Sequence, residues 1–269
     1  MRPSRIKAKL AQNMPALVTS VSFSDPLLYE LTSLMGFDGI WLDMEHHAHS
    51  LEAANNYIRA ARVGASDIIV RPAKGEFMRM ARMLEAGAKG IMYPRCDDAA
   101  EAAQVVRWAK FAPLGERGID AAGPDAPYCS MALQEYIETA NRETFIIIQL
   151  EHAGAVDRVD EIAAVPGIDI LMLGPADFSV LSGFPGQMDH PNILDAKKRI
   201  AKAARNAGIH WGTTCGTPRQ IEESLELGAH FICHGADIFL IKRGLEQIRE
   251  DCRELGFTFE DPVEKRVAL

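Results

Sequence analysis

The sequence predicts a single (β/α)8 barrel, an α/β domain with a long connection before strand five and a C-terminal tail. Three observations predict it. A phrase in which an amphipathic helix stops at a glycine and a short apolar run follows occurs at least five times. One of the apolar runs, Phe145-Ile146-Ile147-Ile148, is too uniformly apolar for a half-exposed strand. The length of 269 residues, 48% of them hydrophobic, supplies one full core and falls in the range of one such barrel.

The elements follow in chain order. Strand one is expected over residues 16–21. The first phrase is a helix over 27–35, stopped at Gly36 before Ile40-Trp41-Leu42; Ser24 is its expected N-cap, and Pro26 occupies the first turn, where its missing N–H costs nothing. The second is a helix over 51–63 with Ser50 as N-cap, stopped at Gly64 before Ile68-Ile69-Val70. The third, over 80–86, stops at Gly87 before Gly90-Ile91-Met92-Tyr93. Residues 145–148 and 168–173 supply strands five and six. A helix over 200–207 then stops at Gly208 before Ile209, and one over 221–227 stops at Gly228 before Phe231-Ile232-Cys233. Strands alternating with helices require right-handed crossovers and a parallel sheet, and eight such units favour closure. An open doubly wound sheet is the alternative, but it lacks its usual G-x-G-x-x-G turn here. The barrel is assigned residues 1–256 and the tail 257–269. Residues 113–141 are too long for an αβ connection and read as a lid or a subunit contact.

Composition narrows the function. A net charge of −8 argues against a nucleic-acid partner and leaves a small molecule. The sequence has no apolar run of the ~18 residues a membrane span needs, and its basic, polar start carries no cleavage signal, so a cytoplasmic protein is expected. Five scattered cysteines without a C-x-x-C suit reduced, structural thiols.

In a barrel of this kind the site forms at the carboxyl ends of the strands. Strand two ends in Asp43-Met44-Glu45-His46, strand three in Arg71-Pro72, strand four in Pro94-Arg95 and strand five in Gln149-Leu150-Glu151. Strand six ends in Gly174-Pro175-Ala176-Asp177, while Thr213, Thr214, Cys215 and His234 at strands seven and eight read as wall residues. Any one such carboxylate can merely cap a helix and any one arginine can be a structural partner; five compatible strand ends together point to chemistry. Abstracting a C3 proton of a 2-oxo acid needs the enolate stabilised, and a hard divalent cation on carboxylates does that. Glu151 and Asp177 are the expected ligands, for Mg2+ or Mn2+ with Co2+ as an alternative. Arg71 would place a permanent charge at the developing oxyanion. His46 is the expected general acid/base, working with Asp43 or a water. The peptide N–H groups of Gly174, Ala176 and Asp177 would cradle the substrate carboxylate. The histidines His47 and His49 read as solvated loop residues.

These residues, together with Gly36-Phe37-Asp38, Leu84-Glu85-Ala86-Gly87-Ala88 and Pro113-Leu114-Gly115-Glu116-Arg117-Gly118, resemble the HpcH/HpaI aldolase/citrate lyase family over nearly the whole chain. The likeness is to its class II pyruvate aldolases, of the 4-hydroxy-2-oxoheptanedioate and 2-keto-3-deoxy sugar acid type. The resemblance implies His46 as acid/base, Arg71 as transition-state stabiliser, Glu151 and Asp177 as metal ligands, and Gln149 and Ala176 as substrate contacts. It implies a role in aromatic or sugar acid catabolism, a 2-oxo acid and an aldehyde as substrates, and a homo-oligomer, a hexamer. Glu85 stands where the family has an aspartate contributed across a subunit interface to the histidine, and His47-Ala48-His49 replace the family's small residues. Three rivals stand beside this reading: a Schiff-base aldolase using Lys74 or Lys89, an acyl-CoA thioester lyase, and a non-catalytic barrel that binds a 2-oxo acid.

Overall fold

The computed structural model describes residues 1–260, and its strands close into a parallel barrel in which each pairs with the next and the last returns to the first. In order, the elements are α1 (Arg5–Leu10), β1 (Ala16–Val21), α2 (Pro26–Leu34), β2 (Gly39–Asp43), α3 (Leu51–Ala60), β3 (Asp67–Arg71), α4 (Phe77–Ala86), β4 (Gly90–Tyr93) and α5 (Ala99–Ala109). Then come α6 (Leu133–Glu143), β5 (Phe145–Leu150), α7 (Ala153–Asp157), α8 (Val159–Ala163), β6 (Ile170–Leu173), α9 (Pro175–Leu181), α10 (Pro191–Ala207), β7 (His210–Cys215), α11 (Pro218–Glu226), β8 (Phe231–Ala236) and α12 (Asp237–Glu254).

Alternation along each strand sends one set of side chains into the barrel and the other under the helices. The interior set includes Val18, Ile69, Met92, Phe145, Ile147, Met172 and Phe231. Ile6 and Leu10 of α1 join it, so this short helix plugs the floor at the amino ends of the strands. Its basic face is tied down there: Arg5 and Lys9 pair with Asp38, and Lys7 with Asp169, at 2.6–2.7 Å. The Ser4 hydroxyl caps the helix by accepting the Lys7 N–H and donates to Asp67. The basic start of the chain thus becomes a clamped plug, an element that sequence reading left unassigned.

Several expectations are corrected. The cap of α2 is Asp25, not Ser24, because Pro26 takes the first helical position and Asp25 Oδ1 accepts the Leu27 N–H at 2.9 Å. Gly36, Gly87, Gly208 and Gly228 do take positive φ, but Gly64 is extended. Glycine is needed at 64 for a steric reason: an added Cβ would lie 2.4 Å from the Ser33 carbonyl oxygen of α2. Of the two readings of residues 113–141, lid or subunit contact, the lid is excluded, because the segment is part of the floor. It leaves α5 at the amino ends of the strands and packs Ala126 against Phe111, Tyr136 and Ala140. A buried Arg117–Asp125 pair at 3.0 Å, completed by the Tyr136 hydroxyl donating to Asp125 at 2.5 Å, locks it there.

The last helix departs most from a regular barrel. Only Asp237 of α12 is buried, accepting the Ser22 and Phe23 N–H groups, and the helix makes its main contacts with β8 and β1. Ile238, Phe239, Leu240, Leu245 and Ile248 stay exposed along it. The tail expected from residue 257 is described only as far as 260, and the rest of it lies outside the described residues.

Candidate active site

Register builds the centre of the site. In the parallel β2–β3 pair Asp43 lies directly beside Arg71, so both side chains emerge on the same side of the sheet at the barrel mouth. The carboxylate of Asp43 accepts Arg71 Nε at 3.0 Å and Arg71 Nη2 at 2.6 Å, a two-pronged grip that fixes the guanidinium. Trp41, one inward position earlier, lies under the guanidinium at 4.5 Å. Arg71 is 7% exposed in its side chain; burial works to lower its pKa, but Asp43 together with Glu45 and Glu151 outweighs it and raises the pKa. Arg71 Nη1 faces Gln149 Oε1 at 3.5 Å, a long contact that leaves this donor available to a ligand. Asp43 therefore serves Arg71 and not the His46 imidazole. Toward His46 it offers only a bond to the backbone N–H, at 3.4 Å.

The carboxylates gather on the other side of Arg71. Glu151 is buried, and burial together with the charges of Asp177 and Glu45 pushes its pKa up to about 7, against the opposing pull of the Arg95 N–H and of Arg71. Gly174 makes room for it: a Cβ at 174 would lie 2.3 Å from Glu151 Oε1. The Gly174 N–H, expected to hold a substrate, instead donates to the Leu150 carbonyl and belongs to the barrel. Pro175 begins α9 without an N–H, leaving the first-turn donors of Ala176 and Asp177 facing the mouth. Beside them Trp41, Pro175 and Ala176 form one edge of a cavity of about 870 Å3 that extends past Thr214 and His234 to Phe239 and Leu240 of α12.

Two further residues belong to this centre. Glu45 is 4% exposed in its side chain and lies 3.3 Å from both Arg71 and Arg95, yet neither oxygen receives a hydrogen bond. Arg95 brings its backbone N–H to Glu151 Oε2 at 2.8 Å. Both stand at strand ends in the sequence, but without the β2–β3–β4 register neither has an identifiable partner.

His46 is 54% exposed, its Nε2 3.7 Å from Glu45 Oε2, so it stands at the rim with freedom to reach a substrate. His47 is also exposed, with Nε2 4.0 Å from Asp43. His49 is not solvated as expected. It is buried edge-on against Tyr57 with Nδ1 3.4 Å from the Ser24 hydroxyl, and burial holds its pKa below the usual histidine value.

Glu85 lies away from this centre in its own chain. It sits near the end of α4, which runs back from the mouth to the floor, beside Gly123 and the charges of Arg117 and Asp125. Burial there raises its pKa. The lysines are unsuited to a Schiff base. Lys74 is held charged by Asp97 and Glu101 against the lowering effect of burial. Lys89 has a pKa pushed down by burial to about 8, but it donates to the Arg2 carbonyl on the floor. All five cysteines are free thiols.

Among the described residues no three His, Cys, Asp or Glu side chains converge into a closed cation cage. Glu151 and Asp177 alone leave most of a hard cation's coordination positions to substrate and water, as an open oxygen-ligand site requires. The buried Glu151 carboxylate, with the charge of Asp177 near it and a Cβ-free Gly174 beside its Oε1, is a hard-oxygen donor set that a divalent cation fits.

Comparison with known proteins identifies the family. The family model described as HpcH/HpaI aldolase/citrate lyase matches residues 18–243. The chain is 30% identical over 254 residues to a hydroxypyruvate/pyruvate aldolase of Paraburkholderia phytofirmans, covering 92% of this chain and 97% of that protein. It is 29% identical over 227 residues to the 2-keto-3-deoxy-L-rhamnonate aldolase of Escherichia coli K12, covering 84% and 85%. The crystal structure of an HpcH/HpaI aldolase from Desulfitobacterium hafniense superposes with a TM-score of 0.87 at 27% identity, covering 95% of this chain and 98% of that one.

Proposed function

The chain belongs to the HpcH/HpaI aldolase/citrate lyase family, and from that premise we propose that it is a divalent-metal-dependent aldolase acting on 4-hydroxy-2-oxo acids. It joins or separates an aldehyde and pyruvate, or a close 2-oxo acid such as hydroxypyruvate. One observation carries the reading: a guanidinium fixed two-pronged by Asp43 stands at the barrel mouth beside the carboxylates of Glu151 and Asp177.

In the cleavage direction a base removes the proton of the C4 hydroxyl, the C3–C4 bond breaks, and its electron pair moves to the C2 oxygen as the aldehyde leaves. The enolate is then protonated at C3. Glu151 and Asp177 would hold Mg2+ or Mn2+, or Co2+ in their place, and the bound ion would supply Lewis-acid stabilisation of the enolate. Arg71 places its own charge at the C2 oxygen with no reorganisation, because Asp43 and Trp41 have already fixed it. Gln149, whose Oε1 faces Arg71 Nη1 at 3.5 Å, orients the 2-oxo acid, and the Ala176 and Asp177 N–H groups meet its carboxylate. His46, exposed at the rim, is the proton carrier.

Assembly is part of the proposal. The apolar row on α12 and the exposed Leu27, Leu31 and Leu34 of α2 are faces that a second copy covers, consistent with a homo-oligomer such as a hexamer. Glu85 would reach a His46 only across such an interface, since one chain keeps them at opposite ends of its barrel. Among the described residues no helix is long and apolar enough to cross a membrane, and the free thiols suit the reducing cytoplasm, where we place the enzyme.

The test is exchange of pyruvate C3 protons in deuterated water, with protein stripped by chelator and resupplied with Mg2+ or Mn2+. Exchange that needs the metal and disappears in Arg71→Ala and Glu151→Gln is expected. Absence of exchange with every metal overturns the reading.

A further inference from the structure

A clamp of charged side chains ties together three loops at the barrel mouth. Lys74, in the loop after β3, donates to Asp97 Oδ2 at 2.7 Å and to the Arg95 carbonyl at 2.7 Å, both in the loop after β4. His152, directly after Glu151, faces Asp97 Oδ1 through Nε2 at 2.9 Å. Its Nδ1 accepts the Ala155 N–H at 3.2 Å, so the ring proton must sit on Nε2 and be donated to Asp97. Arg158 adds two bonds to the Asp97 carbonyl. Asp97 is thus the hub, with each carboxylate oxygen held from a different loop.

The residue under this clamp is strained. Arg95 has φ +46°, the left-handed region that a long side chain rarely occupies. It is pinned at three points: its carbonyl by Lys74, its guanidinium by Glu45 at 3.3 Å, and its N–H on Glu151 Oε2 at 2.8 Å. Strain persists where surrounding contacts over-determine it, and here its product is a peptide N–H aimed at one carboxylate oxygen. The clamp does little for global stability, since Lys74 and Asp97 are 30% and 53% exposed and pairs that open to water contribute little.

We propose that the Lys74–Asp97–His152 clamp is a positioning device for Glu151. It holds residue 95 in its left-handed conformation, so that the Arg95 N–H fixes one Glu151 oxygen and leaves the other directed at the cation. This rests on the reading of Glu151 as a cation ligand. Outer partners that orient a metal's ligands typically change its affinity by roughly 10–100-fold when removed. Lys74, Asp97 and His152 are therefore positioning residues, none of them touching substrate.

The experiment is titration of the chelator-stripped, full-length protein with Mn2+ alone, free Mn2+ being read by electron paramagnetic resonance. Wild type is expected to bind, Glu151→Gln to abolish binding, and Lys74→Met and Asp97→Asn each to weaken it roughly 10–100-fold with unchanged melting temperatures. The double variant is expected to be no weaker than the weaker single, because both changes release the same clamp. Unchanged affinity in both singles, with wild-type binding still dependent on Glu151, overturns the clamp alone, as does a loss in the double equal to the sum of the singles. Wild type that binds no Mn2+, or binds it equally well without Glu151, overturns the ligand reading beneath it.

Discussion

Gly174 shows how far one atom decides this site. A methyl group there would stand 2.3 Å from Glu151 Oε1, inside any tolerable contact, and the neighbouring backbone is fixed by the Gly174 N–H on Leu150. Gly174→Ala is therefore expected to displace the Glu151 carboxylate and abolish metal-dependent pyruvate exchange while leaving the circular dichroism spectrum of the barrel unchanged; retained exchange would show that Glu151 can move aside without loss. At this scale His46, Arg71, Glu151 and Asp177 stand out in the sequence as polar residues at or a few positions beyond the end of an apolar run. Their partners do not. The sequence offers His46 either Asp43, near it along the chain, or a water as its partner, and the β2–β3 register gives Asp43 to Arg71. His49 looked solvated inside a run of three histidines, and only the packing of Tyr57 shows it buried.

At the scale of elements, the connection between α5 and α6 is a structural floor. Its central Arg117–Asp125 pair is shut away from water, so removing one partner leaves a buried charge without its counter-ion. Arg117→Met is expected to destabilise the protein by about 3 kcal/mol in urea unfolding, with the exchange reaction intact wherever the protein stays folded. A lid would give the opposite pattern, full stability and lost activity. Length and glycine content mark such a segment as unusual, but they carry no information on which end of the barrel it covers. That is decided by Ala126 meeting Phe111 and Tyr136. The plug α1 was missed for a related reason: six residues are too few to show a period, although Ser4 as cap with Ile6 and Leu10 four apart was a visible signal.

For the whole molecule, α12 leaves the barrel with its apolar side exposed, a state that water penalises and a second copy relieves. In sedimentation the protein is expected to run as a multiple of its 29.6 kDa chain, and Phe239→Glu combined with Leu245→Glu to shift it to smaller species. A wild-type monomer would show that the exposed row has another purpose.

The alternation of apolar runs with glycine-stopped helices was enough, by itself, to predict eight parallel strands and to favour the closed barrel over an open sheet. Each of these depends on local periodicity and on the handedness of the chain, which every segment carries in its own residues. Tertiary structure alone decided that Asp43 grips Arg71, that Glu45 and Arg95 join the site, that the supposed lid is a floor and that the last helix stands away. Those outcomes depend on register and on contacts between residues far apart in the chain, and no local pattern encodes them.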